Sequence, residues 1–146
     1  MQPYIFAVLV AHFSTCHAQE NDSLFTAESV SQRSISMAGK WRFQLDKTTK
    51  KGKGEARDGW ESVEFDDSAW KKIQVGESWE PQGYSFNGIG WYRARVLIPE
   101  AWKGETLVLH AGRPDDGAET YLNGISLGRT ATFGEHICYR LNPQQV

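Results

Sequence analysis

The sequence predicts an all-β chain, an antiparallel sandwich or barrel of short strands. Apolar residues alternate with polar ones over short stretches, and turn residues recur roughly every eight to twelve positions. No segment carries the 3.6-residue apolar period over a length that would make a useful helix. At 146 residues the chain is long enough for one domain with a real core and too short for two of ordinary size. The formal net charge of -2 comes from interspersed acids and bases. There is no basic stripe of the kind that nucleic acid requires, so no nucleic-acid partner is expected. Six tryptophans suit either a sandwich core or sugar-stacking platforms.

Residues 1–18 read as an export signal. Tyr4–Ala11 is apolar throughout but too short to span a bilayer as a helix. Cys16-His17-Ala18 before Gln19 places small residues where a signal peptidase would read them, although no Lys or Arg precedes the apolar run. A secreted or periplasmic location is the expectation, with no membrane partner. Cleavage after Ala18 would remove Cys16 and leave Cys138 alone, so no internal disulfide is expected. Residues 19–34 are polar and expected to be extended or loosely ordered. The folded domain is expected over residues 35–146.

Trp41, Phe43 and Leu45 alternate with Arg42, Gln44 and Asp46, the period of a half-buried strand. Residues 47–59 hold four lysines and three glycines and read as a solvated excursion. Phe65-Asp66-Asp67-Ser68-Ala69-Trp70 reads as a single helical turn, capped by an aspartate and pinned by Phe65 and Trp70. Residues 72–75 are a short strand candidate, and residues 76–90 a long loop rich in Gly, Pro, Ser and aromatics. Residues 91–98 are the clearest strand, with Tyr92, Ala94, Val96 and Ile98 on one face and Arg93 and Arg95 on the other, stopped by Pro99. Residues 106–111 form another strand, residues 112–117 an acidic turn. Strands at 118–122 and 125–127 flank Asn123-Gly124, a strong hairpin signal. Residues 137–141 close the series.

The chain offers no nucleophile elbow, Ser-x-x-Lys or phosphate loop, so no catalytic residue is assigned. His110 and His136 have no ligand cluster at metal spacing around them, and no metal site is expected. Cys138 reads as a small buried hydrophobe. Asp115 and Asp116, with Glu119, form a compact acidic group at a turn, fit for turn formation or for a sugar-hydroxyl or cation contact. The aromatic loop is the better candidate for binding carbohydrate. Trp79, Tyr84 and Phe86 alternate with Glu80, Gln82 and Asn87, joining ring faces to hydrogen-bonding groups as a pyranose requires. The alternative is that Trp79 plugs the end of the sandwich, and the sequence alone does not separate the two. Trp41, Trp70 and Trp91 are assigned to structure.

The run Gly39-Lys40-Trp41-Arg42-Phe43-Gln44-Leu45-Asp46 resembles the opening strand of the N-terminal sugar-binding domain of glycoside hydrolase family 2, the family of β-galactosidases and β-glucuronidases. Gly59-Trp60, Phe65-Asp66-Asp67-Ser68-Ala69-Trp70, Ser78-Trp79-Glu80, Gly90-Trp91-Tyr92-Arg93, Ile98-Pro99, Leu107-Val108-Leu109-His110 and Tyr121-Leu122-Asn123-Gly124 follow in the family's order. The resemblance implies a jelly-roll β-sandwich of the galactose-binding type that packs against a catalytic domain elsewhere in the parent hydrolase. Such a domain is inactive alone and contributes Trp79, Glu80, Tyr84, Asn87, Asp115 and Asp116 as candidate carbohydrate contacts. The hairpin over residues 115–124 also resembles the accessory domain of sialate O-acetylesterases, and a freestanding carbohydrate-binding module is a further reading. No cofactor is implied. A structural calcium of the kind many such domains hold would take Asp115 or Asp116, and nothing in the spacing requires it. Gly76-Glu77 stands where the family has Pro-Gly, and the 47–58 excursion is more basic than usual. The chain stops at Val146, before the Val-rich return strand of such domains, so a fragment lacking its last strand is expected.

Overall fold

The computed structural model describes residues 4–11, 24–25, 34–48, 59–114, 117–131 and 134–146. The chain is all-β, and the helical segments among the described residues are two three-residue 3-10 turns, Glu80–Gln82 and Glu100–Trp102. The strands are β1 (Tyr4–Ala11), β2 (Leu24–Phe25), β3 (Lys40–Asp46), β4 (Lys71–Gln74), β5 (Ile89–Leu97), β6 (Leu107–Gly112), β7 (Ala118–Leu122), β8 (Ile125–Thr130) and β9 (Ile137–Leu141). A seven-stranded sheet runs in the order β4-β3-β5-β1-β7-β8, with β2 paired to β5 in parallel beside this path, and β6 pairs with β9 in a second sheet. Every other pairing is antiparallel.

Strand β5 is the hub of the large sheet. It pairs with β3 from Ile89 to Arg93 and with β1 from Trp91 to Leu97. Its inner face carries Tyr92, Ala94 and Val96, all buried. Tyr92 and Ala94 pack with Trp41, Phe43, Ile73, Trp79, Ala118 and Ile137. Val96 packs with Ile98, Leu122 and Leu141, bordered by Leu107, Leu109 and Tyr139. The small β6–β9 sheet thus closes over the large one, and the alternation seen in β3 and β5 is the alternation of this core. The apolar Tyr4–Ala11 segment is paired on both sides, to β5 and to β7.

Arg93 lies on the face of β5 opposite Tyr92, Ala94 and Val96, as the alternation predicts, and is nonetheless 1% exposed. Residues 59–70 fold across it, where Trp70 and Trp91 form a second aromatic cluster bordered by Trp60, Phe65, Ile89 and Tyr121. The expected helical turn at Phe65–Trp70 is instead a pair of tight turns. Asp66 Oδ1 accepts from the Ser68 amide at 2.9 Å, and the Trp70 amide donates to the Asp67 carbonyl at 2.9 Å. Side-chain bonding to the local backbone gives these residues an alternative to helix.

The Asn123-Gly124 turn forms as the sequence predicts. Leu122 pairs with Ile125 across it, and φ is 51° at Asn123 and 82° at Gly124, the doubly left-handed turn that matches strand twist. Strand β8 runs on to Thr130 rather than stopping at Leu127. Cys138 is not the buried hydrophobe expected: it is exposed, with Sγ 3.0 Å from His110 Nδ1. The two residues face each other across β6 and β9 on the solvent side, whereas Ile137, Tyr139 and Leu141 take the core side. The lysine excursion lies, from residue 49 to residue 58, outside the described residues.

Candidate functional site: the aromatic loop between β4 and β5

The loop over residues 76–88 is fastened to the core by Gln82 and Trp79. The Trp79 carbonyl accepts from the amides of Gln82 and Tyr84, each at 3.0 Å, which tightens the chain into the Glu80–Gln82 turn. Pro81 sits in the first positions of that turn, where its missing N–H costs nothing. Gly83 then leaves the turn with φ of 88°, a left-handed conformation that glycine adopts without steric cost.

Gln82 is the clamp. Its Nε2 donates to the Gln74 carbonyl at 3.0 Å and the Ser78 carbonyl at 3.1 Å, while its Oε1 accepts from the Gln74 amide at 2.7 Å. One side-chain amide therefore continues the hydrogen bonding of β4 into the loop.

Trp79 is the anchor. It is 3% exposed, and its indole Nε1 donates to the Tyr92 hydroxyl. Phe43 lies at the centre of the aromatic group, with ring centroids 5.6 Å from Trp79, 4.9 Å from Tyr84 and 4.9 Å from Tyr92 in tilted or edge-on contacts. A Cβ at Gly90 would come within 2.6 Å of Trp79 Cζ2 and 2.8 Å of Phe43 Cε2, so this seat requires glycine. Burial pushes the Tyr92 phenol well above its ordinary range, which keeps the hydroxyl protonated, and the indole N–H bond opposes this only in part.

Of the residues proposed to bind sugar, Trp79 forms the floor and presents no open ring face. Tyr84 is half-buried on Phe43, and Glu80 and Asn87 are exposed. These three belong to one loop fixed by Gln82 and Trp79. Phe86, also half-buried, packs on the same core cluster. Asp115 and Asp116 lie outside the described residues; Pro114 beside them is buried. The loop positions an acceptor carboxylate, a side-chain amide and partly open aromatic rings close together in sequence, a set suited to hydroxyl-rich ligands. Among the described residues, no group of three or more His, Cys, Asp or Glu side chains is arranged to hold a metal ion. No helix of the described residues is long and apolar enough to cross a membrane.

Sequence reasoning placed Gln82 among possible ligand contacts and missed its role as a clamp. It also passed over Gly90, although a glycine between an aromatic loop and Trp91 marks a close approach.

Fold and loop together define an all-β domain of antiparallel sheets with a clamped aromatic loop between β4 and β5. The chain is similar to part of a β-galactosidase from Psychromonas ingrahamii, at 28% identity over 142 residues, covering 83% of this chain and 13% of that protein. The similarity suggests a glycoside hydrolase-related domain. No family model matches the chain, and no solved structure matches it.

Proposed function

We propose that this chain is a non-catalytic, carbohydrate-binding accessory domain of a secreted glycoside hydrolase family 2-like enzyme, with a jelly-roll fold. The observation that carries the reading is the similarity to a β-galactosidase across 83% of the chain, joined to an all-β architecture. The export features of residues 1–18 support a secreted or periplasmic product. In this reading Glu80, Tyr84 and Asn87 contact sugar, Asp115 and Asp116 add polar contacts, and Trp79 supports the loop from beneath. The partners are carbohydrate and the catalytic domain of the parent hydrolase.

Calorimetric titration of the chain with a panel of galactosides, glucuronides and short oligosaccharides tests this directly. Saturable binding is expected, weakened about tenfold or more by Asn87→Ala or Tyr84→Ala, the cost of one or two lost contacts. Binding unchanged in both variants would remove the loop as the site, and no binding to any member of the panel would reduce the domain to a purely supporting role.

A further inference from the structure

His110 and Cys138 are direct partners in the β6–β9 ladder, and Cys138 Sγ lies 3.0 Å from His110 Nδ1. Both residues are exposed. The core side of the same two strands is taken by Leu107, Leu109, Ile137, Tyr139 and Leu141. Neither His110 nor Cys138 belongs to a core cluster of the described residues, so packing gives no account of their meeting.

The chemistry of the contact is more specific. A thiol attacks only as its thiolate, and an imidazole touching the sulfur is placed to take the proton. Structural cysteines are buried and inert, whereas reactive ones are reachable and sit beside basic or cationic groups. Cys138 has both attributes. It faces solvent with His110 against its sulfur, and exposed Arg140 follows two residues on along the same face. Val108, the ladder partner of Arg140, is 56% exposed, which leaves the approach from that end open among the described residues. The ladder also shifts register between His110 and Gly112, and a bulge re-aims the side chain beside it.

We propose that Cys138 and His110 form a thiol–imidazole pair that makes Cys138 a modification site for low-molecular-weight disulfides. His110 Nδ1 takes the thiol proton, and Sγ attacks one sulfur of the disulfide. The new S–S bond forms as the old one breaks. The departing thiolate takes up the proton from His110 and leaves as a thiol. Cys138 is thereby oxidised to a mixed disulfide while the departing half of the reagent is reduced, so the disulfide is the only oxidant needed. The adduct projects from the solvent face and leaves the core side of β9 untouched.

The probe is bis(2-hydroxyethyl) disulfide, which is neutral and so is not steered by Arg140. The full chain is reacted at pH 7, both native and in urea, and quenched with acid. Mass spectrometry of the digested chain then measures the adduct at Cys138 separately from any at Cys16. Native Cys138 is expected to react about tenfold faster than in urea, because a free thiol is already roughly a few per cent thiolate at this pH and a base adds only the remainder. His110→Gln, a change on the solvent face, should lower the native rate to that of the unfolded chain while circular dichroism remains native. His136→Gln, which alters the next histidine along the chain, should leave the rate as it was. A native rate no greater than that in urea would overturn the proposal, and so would an undiminished rate in His110→Gln. The comparison with urea stands whether or not the variant folds.

Discussion

Arg93 Nε donates to Asp67 Oδ2 at 2.9 Å, and the two side chains are 1% and 5% exposed. The guanidinium is also held by the carbonyls of Trp60 and Ser62 and lies 5.5 Å from the Phe65 ring centroid. One buried cation thus gathers the 59–70 loop onto the outer face of β5. Asp67→Ala would take this buried carboxylate away from the guanidinium. Loss of a partner from a buried pair costs about 3–5 kcal/mol, and a lower urea midpoint should report it. Arg95, whose side chain is 44% exposed and 3.5 Å from Asp67 Oδ1, is expected to cost about 1 kcal/mol or less on change to alanine.

Gly90→Ala places a methyl against Trp79 and Phe43, which are rigid rings at the floor of the aromatic loop. Overpacking of this kind costs about 1–3 kcal/mol. Near-ultraviolet circular dichroism should show a changed tryptophan environment along with a lower melting temperature, and an unchanged spectrum would count against the seat described for Trp79.

Burial raises the phenols of Tyr92 and Tyr121 above the ordinary value of 10.0, with Glu119 adding to the effect at Tyr121. A raised folded-state value favours the protonated form in the native chain. The resulting stability is complete below pH 10.0 and is withdrawn as pH rises above it, because the unfolded chain gives up its protons first. Denaturant midpoints should therefore fall above pH 10.0, and Tyr92→Phe should flatten that fall.

At Asp66 the sign is opposite. The Ser68 amide and then its hydroxyl stabilise the carboxylate and lower its value below 3.8. Its stabilising contribution is present above pH 3.8 and is lost as pH falls through the lowered folded-state value. An NMR titration should find the Asp66 midpoint below 3.8, and Ser68→Ala should move it only part of the way back, because the amide bond remains.

Strands β3 and β5 and the Asn123-Gly124 hairpin were legible because each is specified locally, by alternation or by turn chemistry. Arg93 was not, because the group that neutralises it lies 26 positions away, and alternation alone sends an arginine to water. The Phe65–Trp70 segment misled for a related reason: its aspartates mark a helix cap or an Asx turn equally well, and the aromatic packing around it decides. Cys138 misled because its strand has two unlike faces and the β6–β9 register, a long-range property, selects which one it shares with His110. In the loop, the mixture of rings and polar groups was readable, whereas the burial of Trp79 as anchor and the half-burial of Tyr84 depend on Phe43 and Tyr92 from other strands.

The place of β1 in the sheet also sets an order of events during translation. Its residues are made well before the strands on either side of it, Ile89–Leu97 and Ala118–Leu122. An apolar eight-residue segment must therefore wait for partners that lie about 80 and 110 residues further along. Contacts of such sequence separation form slowly, and a chain waiting for them is open to chaperones and to aggregation. The nascent polypeptide thus has a long interval in which β1 is open to capture by other machinery.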